Sequence, residues 1–304
     1  MVEWKSQIKQ YFWGRLAISE LHAFESWLWP KLVADEKAVK NYYKKLSGKE
    51  LDLDNPRTFS EKLQWYKLHH HDPLMQMCAD KVDVREYICS CGLQDLLNEQ
   101  YGVYYNVKEI NVDSLPDQFV LKSAHGSAQI IIVKDKSQVC WWQARLMMRS
   151  WLHQHIAWSG REWVYEHLKR RIIAEKYLED ESGELQDYKF FCFNGRPKFM
   201  QLERGRFGKE HIRNFYDMEW KLLPFGKGMP PNTEIQVPTP LQFDRMKQIA
   251  SVLSKPFQFV RVDLYQANSK IYFGELTFFP AGGMPNFCPP EYDQIVGEYW
   301  NLVD

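Results

Sequence analysis

Two apolar runs, Phe259 to Tyr265 and Lys270 to Thr277, flank Asn268-Ser269 and read as a hairpin. Both runs carry charge where a hairpin core should carry none. Side chains along a strand alternate between faces, so Arg261 and Asp263 share one face, as do Glu275 and Thr277. Charge in so apolar a setting is costly unless it is paired or used. One reading is a cross-strand cluster in which Arg261 pairs an acid. The other is a cation site, because paired carboxylates on rigid strands suit Mg²⁺, a hard ion that also binds nucleotide phosphates.

The same strand texture runs back to residue 171. Arg171 to Tyr177 is one strand, and Tyr188 to Phe193 with Pro197 to Leu202 form a second hairpin turning at Asn194-Gly195. Leu241 to Leu253 reads as a helix, and Pro280-Ala281-Gly282-Gly283 as a loop. The first half is helical instead. Trp4, Ile8, Phe12 and Leu16 recur at helical spacing with basic residues between them. That helix either packs on the body or rests at a lipid interface. Asn55-Pro56 breaks the chain, and Thr58 with Glu61 forms a capping signal for a helix carrying Leu63, Trp65 and Leu68. His69-His70-His71 closes it as a solvated end, because consecutive helix residues point in different directions. A single helix is expected from Leu74 through Tyr87, carrying Asp80, Lys81 and Arg85. Residues 138–170 return to helix and are rich in Trp and Arg; Trp141, Trp142, Trp151, Trp158 and Trp163 are core or sugar-stacking candidates.

Composition narrows the function. The formal net charge of the 304 residues is zero, so the basic excess of a nucleic-acid groove is missing. Six cysteines without a C-x-x-C pair point to reduced thiols. The start lacks a signal-peptide layout, and no apolar run has the length of a membrane span. These features predict a cytoplasmic protein that binds no nucleic acid, with the aromatic N-terminal helices able to touch the inner face of a membrane.

A phosphate site is suggested further along. Lys122 ends the run Phe119-Val120-Leu121 and precedes Ser123-Ala124-His125-Gly126-Ser127-Ala128, after which Ile130 to Val133 resumes a strand. Small residues let backbone N–H groups approach an anion, and the lysine adds a point charge. The loop is neither a Walker A motif nor a nucleophile elbow, and alone it is equally an ordinary hairpin turn. Glu175-Lys176-Tyr177-Leu178, followed by Asp187-Tyr188-Lys189, is a strand ending in a hinge. Its backbone can meet a base edge and its carboxylates ribose hydroxyls; it also suits an edge strand with charges facing outward.

The order of these pieces resembles the ATP-grasp superfamily, and more closely its TupA-like branch, associated with teichuronopeptide and other bacterial surface-polysaccharide synthesis. Asn55 to Trp65, Asp80 to Arg85, Leu121 to Ser127, Ile173 to Leu178, Asp187 to Gly195 and Phe259 to Pro280 carry the resemblance. It covers residues from about 50 to 300. It implies an α+β, ATP-grasp fold, with a nucleotide cleft between two α+β lobes and extra N-terminal helices. The implied divisions are a helical extension (1–50), a helical or α+β lobe (51–115), a lid subdomain with the phosphate loop (116–178) and a metal-binding lobe (179–304).

The resemblance also implies ATP and Mg²⁺ and assigns roles. Lys122, assisted by Lys81, holds phosphates under a lid made by Ser123, His125, Gly126, Ser127 and their neighbours to Gln129. Glu175, Lys176, Tyr177 and Leu178 form the adenine hinge, and Asp187 contacts ribose. Asp263, Glu275 and Thr277 hold the metal, while Lys189 and Arg261 act on the reacting phosphate. Two departures stand out: Thr277 replaces an Asn common in the superfamily, and Ala124 and Ala128 stand where relatives carry Asn and Gly. The implied activity is carboxylate–amine ligation through an acyl phosphate, joining an amino acid or amine to a sugar acid of a polysaccharide. A phosphotransferase acting on a glycan precursor and a non-catalytic nucleotide- or glycan-binding partner are the alternatives.

Overall fold

The computed structural model describes residues 12–28, 32–154, 157–180, 185–204 and 212–302. Trp4 and Ile8 lie outside them. The chain divides into two compact units: residues 1–38, 80–82 and 98–177 form one, and 39–79, 83–97 and 178–304 the other.

The first unit holds a four-stranded antiparallel sheet in the order β1 (Gln100–Tyr104), β4 (Ile172–Lys176), β2 (Phe119–Ser123), β3 (Ile130–Val133). Phe119, Leu121, Ile172 and Ala174 bury one face of it against Met148 and Trp151 of α6 (Trp141–His153). Helix α1 (Phe12–Leu28) packs on α6, where Ser150 Oγ donates to Ser19 Oγ at 2.6 Å in a buried contact, and on the short α7 (Ala157–Gly160). Trp13, Leu21 and Phe24 of α1 remain exposed.

Helix α2 (Asp35–Ser47) contributes buried Val39 and Tyr43 to the second unit. Helix α3 (Phe59–His69) begins with the expected capping box: Thr58 Oγ1 accepts from the Glu61 N–H, and Glu61 Oε2 accepts from the Thr58 N–H. His69 and His70 end it, stacked on Trp65 and Tyr66. The helix expected from Leu74 through Tyr87 is instead two, α4 (Pro73–Ala79) and α5 (Val84–Ser90). The cause lies far away in sequence. Residues 80–82 belong to the first unit, where Asp80 is fully buried and pairs Arg171 at 2.6 Å, and the Lys81 N–H donates to the Ala124 carbonyl at 3.1 Å.

The second unit's sheet has five antiparallel strands in the order β10 (Lys270–Thr277), β9 (Phe259–Ala267), β5 (Gln186–Phe193), β6 (Arg196–Arg204), β7 (Ile212–Asp217). One face is apolar and packs on α8 (Phe243–Ser254), with Phe190 stacked on Phe243. The other changes character along the strands. At one end Phe191, Phe193, Phe199 and Phe259 pack with Phe59 and Trp300. At the other end it carries charge. A short ribbon, β8 (Gly226–Lys227) with β11 (Phe287–Cys288), and α9 (Tyr292–Gly297) complete the unit.

Candidate functional site

The charged end of the second unit's sheet follows from strand register. Residues directly opposite on neighbouring strands share a face. Asp187 faces Glu203, and Lys189 faces both Gln201 and Asp263. Arg213 faces Glu203, and Thr277 faces Arg261. Glu275 joins this face only through a bulge. Counting back from the turn, Ala267 pairs Lys270 and Leu264 pairs Phe273, which by itself would set Glu275 opposite Val262 on the apolar side. The extra residue is Gly274, after which Glu275 pairs Asp263. A Cβ at Gly274 would lie 2.9 Å from the Asp263 carbonyl oxygen and 3.0 Å from the Tyr265 ring, so the bulge requires glycine.

Arg261 organises the acids. Its Nε and Nη2 donate to the two Asp263 oxygens at 2.7 and 2.6 Å, and Nη2 also reaches Thr277 Oγ1 at 3.0 Å and Glu275 Oε1 at 3.4 Å. Lys189 bonds Asp187 and lies 3.7 Å from both Glu203 and Asp263. Glu203 in turn pairs Arg213 at 2.8 Å. Burial raises the Asp263 carboxyl above the ordinary carboxylate range, and the Arg261 guanidinium opposes that shift. Burial also lowers the Lys189 ammonium, against the attraction of Asp263.

Among the described residues, no three His, Cys, Asp or Glu side chains gather as a metal site. The donors at hand are two carboxylates and a hydroxyl: Asp263, withdrawn from solvent; Glu275, 45% exposed at its side chain; and Thr277 Oγ1, 3.3 Å from Glu275 Oε1. That oxygen-only set fits Mg²⁺, which is commonly held by one or two protein carboxylates together with water and substrate phosphates.

The first unit brings together the other predicted group. Lys122 Nζ meets Glu175 Oε2 at 2.6 Å across β2 and β4. Lys81 Nζ donates to the Gly126 carbonyl at 2.5 Å, tying it to the small-residue loop. Inside that loop His125 is buried. Its Nε2 donates to the Trp151 carbonyl at 3.0 Å, so Nδ1 is the bare nitrogen, and it has no hydrogen-bond partner. Burial pulls the imidazole down to about 4. Ser123 Oγ is likewise buried without a partner. Ser127 and Ala128 are exposed, and Ala128 takes φ 58°, the left-handed region that favours glycine. At the predicted hinge, the Lys176 N–H donates to the Glu99 carbonyl at 2.9 Å and its carbonyl accepts from Asn98 at 2.8 Å. The Tyr177 ring lies under Lys134, and Leu178, which opens the last segment of the second unit, is half-buried.

The sequence reading did not select Gln201, Glu203, Arg213 or Lys227. Burial lowers the Lys227 ammonium to about 8, and the neighbouring Arg261 and Arg213 lower it further. Of the tryptophans expected in the core or on sugar rings, Trp151 is buried, Trp141 stacks on Phe119, and Trp142 is exposed beside Phe12 and Trp13. The Trp158 side chain lies outside the described residues.

The model of the TupA-like ATP-grasp family matches residues 61–301. No curated protein matches the sequence. Solved structures with similarity include D-alanine–D-alanine ligase from Bacillus anthracis, 17% identical, covering 73% of this chain and 67% of its own, with TM-score 0.42. L-amino acid ligase from Bacillus licheniformis is 13% identical and covers 84% of this chain and 56% of its own, with TM-score 0.43. The ATP-grasp ligase PsnB, solved with a phosphomimetic variant of its minimal precursor, Mg and ADP, is 9% identical and covers 79% and 64%, with TM-score 0.42. The chain thus spans 67% of the first of these structures and less of the other two.

Proposed function

Because the chain belongs to the TupA-like ATP-grasp family, we propose that it is an ATP-dependent carboxylate–amine ligase. A carboxylate attacks the γ-phosphate of ATP, giving an acyl phosphate and ADP. An amine then displaces phosphate and forms the amide. The observation that carries this reading is the Arg261–Asp263–Glu275–Thr277 cluster, assembled on one sheet face by the Gly274 bulge.

Asp263, Glu275 and Thr277 would hold Mg²⁺, which would supply positive charge to phosphate oxygens. Carboxylate and phosphate are both anions, so the residues must offset their repulsion. Arg261 and Lys189 serve the reacting phosphate, and Lys122 with Lys81 serves the remaining phosphate oxygens. Ser123, His125, Gly126 and Ser127 form the phosphate loop. Glu175 to Leu178 meet adenine, and Asp187 meets ribose. Fixed, buried charges act without reorganising at the moment of reaction, which is the main catalytic resource of phosphoryl transfer.

The acid is carried by a sugar acid and the amine by an amino acid or small amine, as befits a branch associated with surface-polysaccharide synthesis. Among the described residues no helix is long and apolar enough to cross a membrane. The exposed Trp13, Leu21 and Phe24 support a peripheral contact at the inner face of the membrane, from a protein otherwise in the cytoplasm.

The test supplies Mg-ATP with uronic acids and amino acids and measures ADP, free phosphate and, with hydroxylamine added, hydroxamate. Ligation yields all three, because hydroxylamine traps an acyl phosphate. ADP without free phosphate, together with a phosphorylated acceptor, would replace the ligase with a phosphotransferase. ATP binding without turnover across the screen would leave a nucleotide-binding partner.

A further inference from the structure

Among the described residues, three of the four cations on the second unit's charged face are matched by an acid. Arg261 is held by Asp263, Arg213 by Glu203, and Lys189 by Asp187. The ammonium of the fourth, Lys227, forms no hydrogen bond or ion pair among the described residues. It is half-buried, with Arg261, Arg213 and Lys189 disfavouring its charge and Glu203 favouring it.

Its position is fixed by backbone. Lys227 pairs Phe287 and Gly226 pairs Cys288 in the β8–β11 ribbon. A Cβ at Gly226 would lie 2.0 Å from the Met229 carbonyl oxygen, so only glycine fits before the lysine. Gly228 follows at φ +72° and its N–H donates to the Asn286 carbonyl at 2.8 Å. A half-buried lysine without an acid of its own, near three other cations, is stabilised when an anion comes to it. A second donor supports such an anion: Arg213 Nε is shut off from solvent and has no acceptor.

We propose that Lys227, with Arg213 beside it, is the contact for a carboxylate of the acid substrate. This rests on the ligation reading above. An ammonium with no acid partner, beside a guanidinium N–H with no acceptor, repels the ammonium form of an amine and attracts a carboxylate, so of the two substrates the acid lies here. Lys227 thereby becomes a determinant of which acids are accepted.

The test is lysine acetylation by acetic anhydride on the full chain, read residue by residue by mass spectrometry, with D-glucuronate as the carboxylate probe. At a probe concentration ten times its dissociation constant, the rate at Lys227 should fall roughly tenfold by mass action. D-Glucose at the same concentration should leave that rate unchanged, and Lys227→Arg should keep D-glucuronate binding that Lys227→Met loses. Absence of protection by D-glucuronate overturns the proposal. So does protection by Mg²⁺ with a non-hydrolysable ATP analogue alone, which would assign Lys227 to the triphosphate. Calorimetry of Mg-ATP on the same preparation separates the two readings. Wild type that binds no Mg-ATP defeats the ligation reading, whereas normal Mg-ATP binding without D-glucuronate protection defeats only the role of Lys227.

Discussion

Protonation of His125 should cost the fold stability in mild acid. The imidazole is buried in the small-residue loop, its Nε2–H is committed to the Trp151 carbonyl, and Lys81 and Arg170 add to the burial that disfavours a second proton. Its pKa therefore falls from 6.5 to about 4. The unfolded chain binds the proton first, so the His125 contribution is fully present above pH 6.5 and is lost as pH falls towards 4. Between pH 7 and pH 5 the loss from this one group is about 2 kcal/mol. The perturbation is His125→Gln, whose amide can still donate to the Trp151 carbonyl but does not titrate. Urea unfolding followed by tryptophan fluorescence at the two pH values gives the comparison. Wild type should lose about 2 kcal/mol more than the variant over that interval, with unchanged denaturant slopes. Equal losses in the two proteins would refute the assignment of a buried neutral imidazole.

Other consequences follow from the same structure. Arg171→Met leaves the fully buried Asp80 carboxylate without this partner, and thermal or urea unfolding should show a loss of about 3–5 kcal/mol. Lys67, almost wholly buried, donates to the Gly282 carbonyl at 2.8 Å and to Gln64 Oε1 at 2.9 Å, so Lys67→Met should destabilise by about 1–3 kcal/mol in the same assay. Ala128→Gly relieves the left-handed φ of 58° and should raise stability by about 1 kcal/mol in urea unfolding; a loss would show that the alanine is not strained there. Gly274→Ala should shift the melting temperature down and reduce the effect of Mg²⁺ on ATP binding, because the new Cβ meets the Asp263 carbonyl in the bulge that places Glu275.

Local signals were legible in the sequence and distant ones were not. The Thr58–Glu61 box and the Asn194-Gly195 turn involve residues a few positions apart, and both appear as expected. Arg261 and Asp263 were readable from strand period alone, and Glu275 was rightly placed beside them, although plain counting from the turn would have put it on the other face. A second bulge hid Glu203. Counted from Asn194-Gly195, Lys189 should face Met200, yet the shift between Phe191 and Cys192 sets it against Gln201 and brings Glu203 opposite Asp187. The break at residues 80–83 depends on the Asp80–Arg171 pair, whose partners lie far apart in sequence. Strand β1 has every residue half-buried, so it shows no alternation to read. Lys227 sits on a two-residue strand, too short for any period, and its meaning comes from neighbours on other strands.

We propose that this chain binds Mg-ATP and that Lys122 and Glu275 each contribute to the binding. The most direct test is calorimetric titration of ATP into the full chain, with and without Mg²⁺, alongside Lys122→Ala and Glu275→Gln. Wild-type binding should be strengthened by Mg²⁺, Glu275→Gln should lose the effect of the metal, and Lys122→Ala should bind weakly under both conditions. A folded wild type that binds no ATP, or a response to Mg²⁺ that survives Glu275→Gln, would contradict it.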